Sequence, residues 1–165
     1  MDNSLQTTRF KTSESIKKAR IRNENMRKSS LNVEGKTFTW SNRLERVQVI
    51  RNGIPYGILE VISKKINSPV NKVLNIVGIP QTTYNKKKVD QSLLDSRDSE
   101  LVLRIFELID FGVDVFDQKD KKFQRWIDKP NLSLGGVPPF QFLDTISGIN
   151  EVKFCLNRIE YGNFA

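Results

Sequence analysis

At 165 residues, with 38% hydrophobic residues and ten Phe, the chain has material for one domain or two small ones but not for a large enzyme fold. Its net charge of +8 is unevenly placed, with 18 Lys/Arg against 6 Asp/Glu in residues 1–88 and 9 against 13 in residues 89–165, so the front half suits nucleic acid and the back half a protein partner. Histidine is absent, which removes the most common general base and metal ligand, and no apolar run makes a membrane span or a secretory leader, so a cytoplasmic binding protein without cofactor or metal is expected.

Residues 1–40 are rich in Ser, Thr, Asn, Lys and Arg and read as a basic, largely disordered arm, with disorder expected as far as about Leu31. Seven Lys/Arg lie between Lys11 and Lys28, which suits either a solubilising tail or an arm that tracks phosphates. Ordered packing is expected from about Phe38 and Trp40. Ser41 then caps a helix whose stripe is Leu44, Val47 and Ile50, and Asn52-Gly53 ends it. Pro55 opens a second helix with Ile58, Leu59, Val61, Ile62 and Ile66 on its apolar face.

Ser68-Pro69 starts a short helix with Val70, Val73, Leu74 and Val77 inward, and Gly78 stops it. After the turn Gly78-Ile79-Pro80, a second short helix runs from Gln81 to about Lys88. Two short helices around a Gly turn form either a helix-turn-helix or a plain helical hairpin. In the first case Ile79 and Tyr84 point inward, while Gln81, Thr82, Thr83, Asn85 and Lys86 face a major groove and Lys86, Lys87 and Lys88 meet phosphates. Ser96 or Asp98 caps a long helix from about Ser99 to Phe116. Its two apolar stripes, one through Leu101, Ile105, Leu108 and Val115 and the other through Val102, Phe106, Ile109, Val113 and Phe116, require burial on more than one side. The extra face packs within the monomer or against a second copy, and a homodimer is the favoured reading. Asp110, Asp114, Asp117 and Asp120 read as a solvated face rather than a metal site. A short helix from Lys121 to Asp128 turns Phe123, Trp126 and Ile127 inward, and Cys155, beside Val152, Leu156 and Ile159, reads as a buried structural thiol.

From Pro130 the order is specific: Pro130-Asn131, Leu134-Gly135-Gly136, Pro138, Phe140, Leu143, Thr145, Gly148 and Arg158-Ile159-Glu160-Tyr161-Gly162, following Trp126. The physical reading is a tight Gly135-Gly136 turn, a short Pro138-started helix, and an Asp144/Thr145 cap on a final helix from about Ile146 to Tyr161. This segment resembles the toxin-binding domain of the Xre/MbcA/ParS-type antitoxins, and the stretch from about Leu44 to Phe116 resembles their Xre-like helix-turn-helix region. Leu74 and Pro80 depart from the pattern, standing where compact DNA-reading motifs usually have a small residue and a Ser or Thr cap.

The resemblance implies an all-α fold in which a helix-turn-helix core at 41–117, serving DNA binding and dimerisation, precedes a toxin-binding domain at 118–165. It implies an antitoxin of a RES-Xre toxin-antitoxin pair that occludes the active site of a RES-type, NAD-consuming toxin and represses its own operon, with the toxin, operator DNA and a second copy as partners. Toxin-binding residues carried over by motif position are Trp126, Leu134, Gly135, Gly136, Pro138, Phe140, Leu143, Arg158 and Tyr161, and the tail to Phe164 either enters the toxin's cleft or frays. The alternative is a nucleic-acid-binding regulator without a toxin partner. An enzyme is the weakest class, because nucleophile, base and phosphate-cradling loop are all missing.

Overall fold

The computed structural model describes residues 29–162; the basic run Lys11–Lys28 and the tail Asn163–Ala165, Phe164 included, lie outside them. The described part is helical apart from one hairpin. Its elements are β1 (Ser29–Val33), β2 (Lys36–Trp40), α1 (Arg43–Asn52), α2 (Ile58–Lys65), α3 (Val70–Val77), α4 (Gln81–Val89), α5 (Ser96–Val115), α6 (Asp120–Asp128), two 3-10 turns at Leu132–Leu134 and Pro139–Phe142, and α7 (Ile146–Glu160).

The hairpin overturns the expected onset of order. Glu34 and Gly35 both take positive φ, 50° and 75°, which is the backbone of a two-residue turn matched to strand twist. The register pairs Leu31 with Phe38 and Ser29 with Trp40, so Leu31, Val33, Phe38 and Trp40 share one face. Leu31, Val33 and Trp40 are buried to 1%, 2% and 5% exposure, enough apolar area to order a segment whose outward residues are all polar.

Helix α1 is capped one residue later than expected. The Asn42 side chain accepts from Glu45 N–H at 2.9 Å, while the Glu45 carboxylate accepts from the Ser41 N–H and hydroxyl at 2.7 and 2.8 Å. The helix is also rotated from its expected face. Ile50 is buried, but Leu44 is 77% and Val47 39% exposed, because Arg46 makes a bidentate pair with Glu107 of α5 at 2.9 Å. Past α1, Ser99 is the one buried polar residue among those described. Its hydroxyl accepts from Ile54 N–H at 3.1 Å and donates to the Leu94 carbonyl at 3.3 Å, fastening the α1–α2 link to the start of α5. The cap of α5 is Asp95, which accepts from Asp98 N–H at 2.8 Å, in place of Ser96 or Asp98.

Eight residues of the 20-residue α5 are buried, and it packs against α1, α2, α3, α6 and α7. Most of both apolar stripes is therefore covered inside one chain, while Leu101, Val113, Val115 and Phe116 stay half-buried. Gly112 marks the closest approach: a Cβ there would run into the Phe123 ring of α6. Phe116, Phe123 and Trp126 form an aromatic cluster with centroids 5.9 to 6.2 Å apart. Thr145, as expected, caps α7 by accepting from Gly148 N–H at 3.1 Å, and a Cβ on Gly148 would collide with the Phe142 carbonyl.

Helix α4 is held onto α2 by polar bonds as well as by Tyr84 burial. Glu60 of α2 accepts from the Tyr84 hydroxyl at 3.0 Å and from the Lys88 ammonium. The Lys88 bond holds the Glu60 carboxyl below the usual carboxylate range and raises Lys88, while burial raises Tyr84.

Gly148→Ala is expected to lower the urea midpoint: overpacking of about 1–3 kcal/mol exceeds the roughly 1 kcal/mol that Ala gains over Gly in a helix. Glu60→Gln is expected to cost less, about 1 kcal/mol or below, because both partners are over a third exposed and screened. Since the Glu60 pKa is depressed on folding, its contribution is present above the unfolded carboxylate value of about 4.3 and is lost as pH falls through the folded value. The variant's acid unfolding curve should accordingly be shallower than that of the parent chain.

Candidate functional site

Two surfaces carry the residues singled out in the sequence. The first is α3–turn–α4. Gly78 takes φ 81° as the αL cap of α3 and donates its N–H to Leu74 O at 2.8 Å, so the chain reverses and α4 begins at Gln81. Ile79 and Tyr84 are buried and Leu74 is 1% exposed, so this leucine packs inside the helix pair. Pro80 sits at the N-cap of α4 without a side-chain cap, its extended backbone satisfying the geometry that a Ser or Thr would otherwise hold.

Gln81, Thr82, Thr83, Asn85, Lys86 and Lys87 are all exposed, and Gln81 donates to the Asn85 side-chain oxygen at 2.9 Å. Lys88 differs from its neighbours. Its ammonium is tied to Glu60, which makes it a residue that positions α4 instead of a free phosphate ligand.

The second surface is the C-terminal domain, where the structure sorts the motif residues into supports and rim. Leu134, Phe140 and Leu143 are buried at 8%, 5% and 0% exposure, so they hold the surface from beneath and cannot themselves touch a partner, as the resemblance had implied. Trp126, Pro138 and Arg158 are half-buried, and Gly135, Gly136 and Tyr161 are exposed. The Gly pair takes φ 68° and 79°, two successive left-handed residues that let Asn131 accept from Gly136 N–H at 2.9 Å and close the loop. The Asn131 side chain also accepts from Ser133 N–H at 2.9 Å.

Three exposed apolar residues escaped the sequence reading: Leu132 at 94%, Phe154 at 58% and Ile146 at 37% exposure. Phe154 was readable, because Ile149, Val152 and Leu156 define the inward face of α7 and Phe154 falls opposite it, one heptad before Tyr161. Leu132 gave no such signal, since its exposure depends on how the loop closes. Cys155 is buried and its thiol is pushed up by desolvation, in keeping with a structural thiol. Of the four aspartates from Asp110 to Asp120, Asp110 pairs with Lys65 at 2.6 Å and Asp114 accepts from Gln118, and no described cluster of carboxylates and thiols could hold a metal.

The two surfaces are joined by Lys72 of α3, whose ammonium lies 2.6 Å from Asp128 of α6 and 4.3 Å from the centroid of the Phe140 ring. A cleft of about 440 Å³ opens between the end of α5 and the last turns of α6, floored by Phe116 and Trp126 and rimmed by Lys122, Arg125 and Lys129. No described helix is long and apolar enough to cross a membrane.

Residues 112–162 match the family described as the antitoxin Xre/MbcA/ParS C-terminal toxin-binding domain, so the match begins inside α5 at Gly112. Antitoxin Xre of Photorhabdus laumondii subsp. laumondii is 28% identical over 114 residues, covering 69% of this chain and 77% of its own. Antitoxin Xre of Yersinia enterocolitica is 26% identical over 119 residues, 72% of this chain and 80% of its own. A Sphingobium protein named Prs ADP-ribosylating antitoxin is 26% identical over 130 residues, 74% of this chain and 82% of its own. The family match takes in the Gly135–Gly136 loop and α7, so residues 112–162 are similar to an Xre/MbcA/ParS toxin-binding domain, and over about 70% of its length the chain is similar to proteins named as antitoxins.

Proposed function

We propose that this chain is an antitoxin that neutralises a NAD-consuming toxin of the RES type by laying the outer rim of its C-terminal domain over the toxin's active-site entrance, and that it represses its own operon through α3 and α4. The observation that carries the first part is the outward set Leu132, Phe154 and Tyr161 within the residues that match the toxin-binding family. Aromatic side chains presented on a rigid helix lose little entropy on docking and are the type that dominates interface energetics. The name of the Sphingobium relative supports the NAD chemistry, since ADP-ribosylation takes its transferred group from NAD. The acidic balance of residues 89–165 suits a basic partner and acts more on association rate than on affinity.

Operon repression is supported by the polar, outward face of α4, in which Gln81, Thr82, Asn85 and Lys86 stand together. Reading a two-fold operator requires two copies of such a helix. With most of the apolar surface of α5 covered, a face that could take a second copy is α1, where Leu44 and Val47 are exposed. Neutralisation is a binding role and needs no cofactor from this chain.

Co-expression with the neighbouring gene product is expected to give a complex without NAD turnover until this chain is removed. Phe154→Ala with Tyr161→Ala should weaken that complex at least tenfold at unchanged melting temperature, whereas Leu143→Ala should instead cost about 2–5 kcal/mol of fold stability. A neighbour that ignores this chain would leave the alternative, a regulator without a toxin. On DNA, Asn85→Ala should reduce discrimination between operator and other duplexes by about 1–3 kcal/mol. Lys86→Ala should weaken binding to all sequences and lower the salt slope by about 1, in a filter-binding series over salt concentration.

A further inference from the structure

The cleft beside α6 is used neither by the outward rim of α7 nor by α4. Its floor is aromatic: Phe116 and Trp126 lie 5.9 Å apart, and Trp126 also stacks on Phe123 at 6.2 Å and 29°, which holds the indole in place. Its rim is cationic. Lys122 and Arg125, three apart on α6 with Trp126 beside them, stand on one side of the helix, and Lys129, its extended C-cap residue, lines the same cleft. None of the three has an ion-pair partner among the described residues, and the carboxylate of Asp128 on the same helix is already taken by Lys72. A half of the chain with net charge −4 thus gathers unpaired positive charge around an aromatic concavity.

We propose that this cleft binds a nucleotide, its base stacked on Trp126 and its phosphates held by Lys122, Arg125 and Lys129. An inorganic anion would use the rim and leave the indole idle, and a neutral aromatic would do the reverse; a nucleotide uses both. Stacking tolerates any base because each has a π-face, and the guanidinium of Arg125 offers the planar donor pair that phosphate oxygens accept. The volume of about 440 Å³ falls within the range of about 300–1,000 Å³ usual for small-molecule sites and favours a compact ligand over a length of partner chain. All of its residues come from this chain, so the site can be tested on the chain without the toxin.

The test is titration calorimetry of the full chain alone, in physiological salt, with ADP, adenosine, pyrophosphate and an acidic glutamate peptide, accompanied by tryptophan fluorescence. Trp40, the other tryptophan, is only 5% exposed, so quenching reports on Trp126. ADP should bind saturably, at least tenfold tighter than each of the other three, and quench the emission. Lys122→Gln with Arg125→Gln should reduce ADP affinity at least tenfold without changing the melting temperature. The proposal is overturned by absence of saturable binding at millimolar ADP, or by pyrophosphate or the peptide binding as well as ADP. Undiminished ADP binding by the double variant would overturn it too, by placing the ligand elsewhere on this basic chain.

Discussion

The fold depends on the need to cover one helix on nearly every side. α5 carries apolar residues around so much of its circumference that no single neighbour could bury them, and the chain answers by setting α1, α2 and α3 on some of its faces and α6 and α7 on others. The helix pair that presents α4 and the domain that matches the toxin-binding family are therefore two sides of one core. Gly112 sits where the second side begins, since the Phe123 ring can come down on α5 only because no Cβ intervenes.

Local signals were legible in the sequence where they were decisive. Gly78, Ile79, Pro80 and Tyr84 told of a short helix, a left-handed stop and a second helix with one inward aromatic, and the structure has each. Thr145 and Gly148 likewise marked the start of α7. What could not be read was whatever depended on a distant partner. Leu44 and Val47 have inward spacing, yet Glu107, 61 residues beyond Arg46, pulls the helix round and leaves them exposed. Lys88 looked like one of three equivalent lysines until Glu60, 28 residues upstream, claimed it. The hairpin was missed because polar composition hid an alternation of only a few apolar residues, turned at Glu34-Gly35.

The C-terminal motif carries a similar lesson about what a family pattern records. Leu134, Phe140 and Leu143 belong to the pattern because they build the platform, and their burial leaves them nothing to offer a partner. The residues that can meet another surface, Leu132, Phe154 and Tyr161, stand on that platform with few packing constraints of their own. Specificity toward one partner can vary in such positions while the platform stays the same. The acidic and basic halves follow the same division, since charge is concentrated in outward positions and the described interior holds a single satisfied serine.

The unbroken course of α5 through both sides has a consequence for turnover in the cell. Among the described residues α5 joins the two sides without a break, so loss of α7 strips the apolar cover from α5, and the packing that α1 to α3 rely on goes with it. Under the proposed function, the protein that restrains the toxin and the protein that occupies the operator would disappear in the same event, so release of the toxin and resumption of its antidote's synthesis would start from one clock.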